Sequence, residues 1–412
     1  MPEDGFPEIV HKLYKGITMS CKLTIILIVF SFLFSGISCK KNSQDTDNNE
    51  LSNSYPAPVQ TNDGWETARP SHAGLDEHML TDLADRINDN TYNEIHSILI
   101  IKDGMLVFEE YSRGHDFNFR GQNFHGALIN FDMDTPHNTH SATKSVVSAL
   151  TGILIDKGII QDTNVRISNY FNQYSDLFDS LKNTITIEHL LTMTSGLQWN
   201  EWDVHPSDPA YDTYLFNISA DPIRYVLSKP VVTRPGSSFY YNGGAVDLLG
   251  ELLHQASDTE LDSLSKQYLF GPLGITNFEW QRLWSGLIVA HGDIYIRPRD
   301  MAKFGFLFLN GGIWNGTQII SADWVNRSVQ QHLPLPQVYW ADGYGYLWWK
   351  RNYYINDEVI VSTKAMGWGG QEIILLKELD MMVVFTGACY VIDPPCDDIM
   401  DRFILPSVVS LQ

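Results

Sequence analysis

Cysteine is scarce in this 412-residue chain: Cys21, Cys39, Cys389 and Cys396, with no pair at Cys-x-x-Cys spacing. That excludes a cysteine zinc site and a thioredoxin-like redox centre. Positive charge is scarce too. Lys and Arg number 28 against 49 Asp and Glu, a formal net charge of -21. Such a surface repels phosphate backbones, so nucleic acid is not expected as a partner. The apolar run at residues 23–34 stops after about a dozen residues, too short to cross a bilayer. Internal repeats are missing, as is the regular strand–helix alternation of a doubly wound parallel sheet. What remains is 44% hydrophobic, 12% aromatic and 19% charged. That composition supports a large core, in one big domain or two intimately joined lobes.

The run at 23–34 has the length of a signal-peptide core. It follows Lys22 and precedes Ser35-Gly36-Ile37-Ser38-Cys39. Small residues before Cys39 resemble a bacterial lipobox, although Gly36 replaces the usual Leu. Residues 1–39 are therefore expected to be an export segment, with Cys39 lipidated as a membrane anchor facing the periplasm or the cell surface. Glu3, Asp4 and Glu8 do not suit a signal n-region, so translation is expected to start at Met19. Residues 40–60 are rich in Asn, Ser, Asp and Pro and read as a flexible tether. The folded body is then 61–412. In an oxidising compartment Cys389 and Cys396, flanking a short Pro-Pro loop, are a disulfide candidate, with two free thiols as the alternative.

The body opens with a helical pattern over 75–88. Two β-rich runs, 95–101 and 105–108, are joined through Asp103-Gly104, a hairpin signal because Gly accepts positive φ. The middle reads as helical, with stretches at 145–157, 187–193 and 246–256. β-Rich sequence returns at 359–363, 372–376 and 381–386, and a terminal helix is expected over 398–411. The pattern predicts an α+β fold: one antiparallel sheet built from both chain ends with flanking helices, an α/β/α sandwich carrying an inserted, mainly helical lobe. Asp300, ahead of an apolar periodic run, reads as a helix cap.

Ser141-Ala142-Thr143-Lys144 stands at the start of a predicted helix, where a three-residue offset puts Ser and Lys on one face. A lysine there, with the positive helix end, lowers the cost of a serine alkoxide, and burial lets the lysine accept the proton. The same spacing recurs at Ser263-Leu264-Ser265-Lys266, in a charged and polar run that reads as a solvated helix face. His137-Asn138-Thr139-His140 has no further ligands at telling spacing, so no metal is expected.

Ser141 is distinguished by its company. The stretch through Ile160 is followed in order by Ile185-Thr186-Ile187-Glu188-His189-Leu190-Leu191-Thr192-Met193-Thr194-Ser195-Gly196, then Pro235-Gly236-Ser237-Ser238-Phe239-Tyr240-Tyr241-Asn242. Arg297-Pro298-Arg299-Asp300, Gly343-Tyr344-Gly345-Tyr346 and Gly367-Trp368-Gly369-Gly370-Gln371 complete the set. Over roughly residues 75–410 the chain resembles the β-lactamase-like serine hydrolases, and most of all their esterase and 6-aminohexanoate-dimer-hydrolase-like branch. The resemblance implies an acyl-enzyme on Ser141, activated by Lys144, with Tyr241 as proton relay and no cofactor. The backbone N–H groups of Ser141 and Trp368 would form the oxyanion hole, with Gly367 keeping an edge strand slim. Asn242, Gly367, Gly369, Gly370 and Trp199 are implied at the substrate, a small ester or amide, and Trp202, Trp348 and Trp349 are candidates for the cleft wall. Two departures stand out. The family's Tyr-x-Asn reads Tyr241-Asn242-Gly243, and its third motif, usually Lys or His then x-Gly, reads Ala365-Met366-Gly367. Without that cation a β-lactam carboxylate lacks its partner. A penicillin-interactive enzyme is the first competing reading, and a catalytically silent binding lipoprotein the second.

Cys39→Ser is expected to release the protein from membranes into the soluble fraction. A variant that still fractionates with membranes removes the lipid anchor.

Overall fold

A computed structural model describes residues 55–409 except 203, 205 and 207. The export segment and Cys39 lie outside the described residues. Of residues 55–60, expected in the tether, Tyr55 alone is buried, and 56, 57, 59 and 60 are exposed. Tyr55 is buried against Phe108, 4.5 Å between ring centroids, and its hydroxyl donates to the Glu109 carbonyl at 2.8 Å. This one aromatic anchors the start of the described chain to the sheet.

The hairpin at Asp103-Gly104 forms as its sequence dictates. Both residues take positive φ, 52° and 77°, and join β1 (Ile95–Lys102) to β2 (Met105–Tyr111). A second hairpin follows, β3 (Arg113–Phe117) with β4 (His125–Asn130), which no pattern announced. From the other chain end come β5 (Trp349–Ile355), β6 (Glu358–Gly367), β7 (Gln371–Leu376) and β8 (Met381–Gly387). β8 pairs antiparallel with β1, Val383 opposite Ile100, and so closes the two ends of the body into one sheet. The full order is Glu66–Thr67, β2, β1, β8, β7, β6, β5, Gly343–Tyr344, Leu333–Pro334, nine strands in all.

Every residue of β1 is buried, because the sheet is covered on both faces. Ile98 and Ile100 meet Phe108, Val383 and Phe385 in one core under α1 (Glu77–Asn88) and the chain end. Leu99 and Ile101 meet Val384 and Met382 in the other, under α2 (Thr143–Asp156) and further helices. These further helices include α3 (Gly243–Ser257) and α4 (Pro298–Leu309), and the helical segments between β4 and β5 form the inserted lobe.

Three expectations need correction. The terminal helix is short: Cys396–Ile399 runs into a wider turn over Met400–Ile404, and Pro406 cannot extend it. Asp300 lies inside the first turn of α4 and not at its cap, which is Arg297; it is buried between Arg297 and Lys303, each at 2.8 Å. Cys389 and Cys396 are both free and buried, not bridged. The Cys389 thiol turns to the Glu94 carbonyl at 3.7 Å, and burial holds its pKa up at about 12.

α2 is buried along almost its whole length, and Gly152 lets Trp324 lie against it: a Cβ there would come within 2.2 Å of the indole. Gly152→Ala is therefore expected to lower stability by about 1–3 kcal/mol through overpacking. Denaturant midpoints at unchanged slope measure this, and an unshifted midpoint contradicts it.

Candidate active site

The strand His137–Asn138 pairs with Ile294–Ile296 and feeds a tight 3-10 turn, His140–Ala142, that opens directly into α2. Ser141 sits in that turn, just ahead of where the helix begins. The turn is held at every step. The Thr139 amide donates to the Ile294 carbonyl at 2.8 Å, the His140 amide to Asn138 Oδ1 at 2.8 Å, and the hydroxyls of Thr139 and Thr143 meet at 2.8 Å. His140 has φ of 44°, a left-handed conformation unusual for a histidine. Asp293 accepts from Asn138 Nδ2 at 2.9 Å and faces His140 Nδ1 at 3.4 Å. Burial raises the Asp293 carboxyl, but His140, His291 and Asn138 outweigh it and hold it at about 2. The backbone around Ser141 is thus fixed by partners on two separate chain segments.

Lys144 lies one helical turn below, wholly buried. Its Nζ donates to Ser141 Oγ at 2.9 Å and to the His291 carbonyl at 2.6 Å. Burial lowers its pKa, and the charges of Glu201, Asp247 and Asp293 only partly offset that. Tyr241 completes the group: its ring lies 4.9 Å from Lys144 Nζ, and its hydroxyl faces Ser141. Burial, aided by Glu201, raises the phenol's pKa, and the nearby Ser141 hydroxyl only partly counters it. At neutral pH this tyrosine is a phenol. The assembly holds a half-buried hydroxyl, an amine whose pKa burial lowers and a phenol that keeps its proton at neutral pH.

Sequence reasoning missed His291 and Asp247. Asp247 on α3 accepts from His291 Nδ1 at 2.7 Å and from the His291 amide at 3.2 Å. Burial disfavours the charged imidazole, yet Asp247 raises the His291 pKa overall. The useful contact to Lys144 is a backbone carbonyl, which leaves no signature in residue types.

Gly367 ends β6 against this turn: a Cβ there would come within 2.1 Å of the Thr139 carbonyl oxygen and 3.2 Å of the Ala142 nitrogen. β5 pairs with β6 only as far as Lys364, so residues 365–367 form the edge that sequence reasoning expected. The peptide that follows leads into Trp368, whose indole donates to the Tyr390 carbonyl at 3.0 Å and packs on Phe124 and Tyr390. Trp202 is half-exposed and stacks on Tyr241 at 4.9 Å, with Trp349 and Trp340 beside it.

Four residues expected at the substrate have structural roles. Trp199 is fully buried and donates to Glu201 Oε2 at 2.9 Å, and Asn242 caps α3, accepting from the Ala245 amide at 2.8 Å. Gly369 and Gly370, with φ of 85° and 90°, form the buried turn into β7, packed against Tyr390 and Pro394. Trp348 is likewise core. The second Ser-x-x-Lys pair is as expected: Ser263 and Lys266 are exposed. A cleft of about 660 Å³ lined by Asp63, Arg297, Arg299 and Trp314 contains none of these groups.

The Beta-lactamase family model matches residues 96–387, and the chain belongs to that family. Its members share a fold of serine hydrolases and acyltransferases, and this mixed sheet-and-helix architecture is that fold. Curated relatives include ML-236A carboxylate methylbutanoyltransferase of Penicillium citrinum, 27% identical over 36% of this chain and 38% of that protein. The 6-aminohexanoate-dimer hydrolase of Paenarthrobacter ureafaciens is 23% identical over 60% of this chain and 59% of that protein. The matched stretch thus spans less than two thirds of either relative. A family VIII carboxylesterase has a similar solved structure, at 16% identity with a TM-score of 0.59, covering 79% of this chain and 96% of that one.

Ser141→Ala is expected to abolish covalent labelling by a phosphonate probe, while Ser263→Ala labels as the wild type does. Equal loss in both variants contradicts the choice of site.

Proposed function

We propose that the protein is a serine hydrolase that cleaves a small carboxylic ester or linear amide through an acyl-enzyme on Ser141. The observation that carries this reading is the 2.9 Å bond from a wholly buried Lys144 amine to Ser141 Oγ. Neutral Lys144 takes the Ser141 proton as Oγ attacks the carbonyl. The amides of Ser141 and Trp368 stabilise the oxyanion. The raised pKa of Tyr241 suits a phenol that donates to the leaving group and is reprotonated through Lys144. Water then enters, and the same groups run in reverse to release the acid. The N-terminal segment would place this activity at a membrane through lipidated Cys39.

What argues against β-lactams is the third motif. Ala365 is buried, and its neighbour Lys364 turns to the opposite face, bonded to Glu372 at 2.7 Å and Asp397 at 3.0 Å. Strand alternation thus leaves no β6 cation in the cleft to meet a substrate carboxylate. One charge-assisted hydrogen bond is worth roughly 1.5–3 kcal/mol, or about one to two orders of magnitude in rate. A second reading, transfer of the acyl group to an alcohol, rests on the methylbutanoyltransferase relative and differs only in what resolves the acyl-enzyme.

On p-nitrophenyl butyrate, kcat/KM is expected to exceed that on nitrocefin by at least about one order of magnitude. A nitrocefin value equal or higher supports the penicillin-interactive alternative. Tyr241→Phe should lower kcat by about 10²–10⁴. Below the lysine pKa the ammonium cannot accept a proton, so kcat/KM rises with pH and levels off once Lys144 is neutral. Because burial lowers that pKa, the midpoint falls below the ordinary lysine value of about 10.4. A midpoint at or above it would remove Lys144 as the base.

A further inference from the structure

Glu94 is a buried carboxylate without a permanent cation. Among the described residues its ion-pair partners are two histidines, His115, with Nδ1 2.6 Å from Oε1, and His96, with Nε2 3.6 Å from Oε2. A carboxylate taken out of water needs a compensating charge, from a protonated partner or a metal. Glu94 has φ of 62° and so leaves the usual extended path just before β1.

The surroundings have the character of a coordination site. His115 on β3 and His125 on β4 stack with ring planes 6° apart, 4.5 Å between centroids. One donor atom each from Glu94, His115 and His125 lies within 4.8 Å of the others. His125 Nε2 is 2.9 Å from the Ala388 carbonyl, a partner that only an N–H can face, so Nδ1 is left as a lone pair. A ring nitrogen hydrogen-bonded to a backbone carbonyl is the arrangement that metal-binding histidines adopt. His96 adds an independent observation. Its side chain is 2% exposed, both ring nitrogens lack a hydrogen-bond partner, and Nε2 is directed at Glu94 across a gap too long for a hydrogen bond. Gly114 makes room there: a Cβ would come within 2.5 Å of His96 Nε2 and 3.2 Å of Glu94 Oε2.

We propose that Glu94, His115 and His125, with His96 beside them, form a binding site for a divalent zinc-class cation that clamps the β3–β4 hairpin to the sheet. Imidazole and carboxylate donors in this number suit zinc. The cation takes the place of the hydrogen between Glu94 Oε1 and His115 Nδ1, and the neutral ring then carries its proton on Nε2. In a tetrahedron of 2.1 Å bonds the donors stand about 3.4 Å apart, so a separation at the 4.8 Å limit would close by about 1.4 Å and the 2.6 Å Glu94–His115 contact would open by about 0.8 Å. The site is not catalytic. Its reach to the cleft runs through Ala388 to Tyr390, which packs on Phe117, His140 and Trp368. It holds that wall in place, and it does not depend on the hydrolase reading.

The test uses the full chain purified in mild detergent, stripped with a chelator and titrated with zinc against a competing indicator, with cobalt as a spectroscopic substitute. One equivalent is expected to bind, with the intense visible absorption of tetrahedral cobalt and a raised unfolding temperature. His115→Gln with His125→Gln should weaken zinc binding by more than about a hundredfold, beyond the loss of an outer partner. Circular dichroism would confirm that this variant folds. If the wild type takes up no more zinc than the double variant, or cobalt stays octahedral, the proposal is overturned and the Glu94–His115 contact is a hydrogen bond alone. Should the double variant not fold, the wild-type titration still decides: no zinc bound, or octahedral cobalt, overturns the site.

Discussion

The site depends on one arrangement: an amine with no exposed surface, held between a serine hydroxyl and a backbone carbonyl. Taking an ammonium out of water is costly, so burial pushes Lys144 toward its neutral form. The charges of Glu201, Asp247 and Asp293 limit that shift without cancelling it. The rest of the architecture keeps this lysine dry and aimed. α2 is packed on nearly all sides, the His291 carbonyl receives one Nζ proton, and the Asp247–His291 pair fixes the segment that presents that carbonyl.

The sheet serves the same end from the other side. β8 joins β1 to close the two ends of the body, and β7 and β6 then bring Gly367 against the Thr139–Ala142 turn. Only glycine allows that approach, since a Cβ would overlap the Thr139 oxygen. Strand alternation sends Lys364 and Ala365 to opposite faces, so a lysine only one residue from the motif position is consumed by Glu372 and Asp397. A one-residue difference in register would reverse the electrostatics of the cleft.

Aromatic groups line the site on two sides, and they differ in kind. Trp202, Trp340 and Trp349 gather over Tyr241, with Trp202 half in solvent, where a substrate's apolar part would shelter. Trp368, Phe124 and Tyr390 are more closely packed and carry the β6–β7 turn. The β3–β4 hairpin, with its histidines, supports that second wall from behind.

By itself the sequence determined the hairpin at Asp103-Gly104, the sheet shared by both chain ends, the pairing of Ser141 with Lys144 on one face, and the exposure of the second Ser-x-x-Lys pair. Each is a local matter of turn chemistry, periodicity or ordered motifs. It did not announce the structural roles of Trp199, Asn242, Gly369 and Gly370, because residue type does not tell whether a side chain faces a cleft or completes a cap. Asn242 does the work of a helix N-cap, a role open to any Asn before a helix. The tertiary structure alone decided the His291 carbonyl on Lys144, the Asp247 partner, the separate thiols of Cys389 and Cys396, and the meeting of Glu94 with His115 and His125. These contacts join segments distant in the chain, and several use backbone atoms that every residue possesses. Only the folded path of the chain chooses among them.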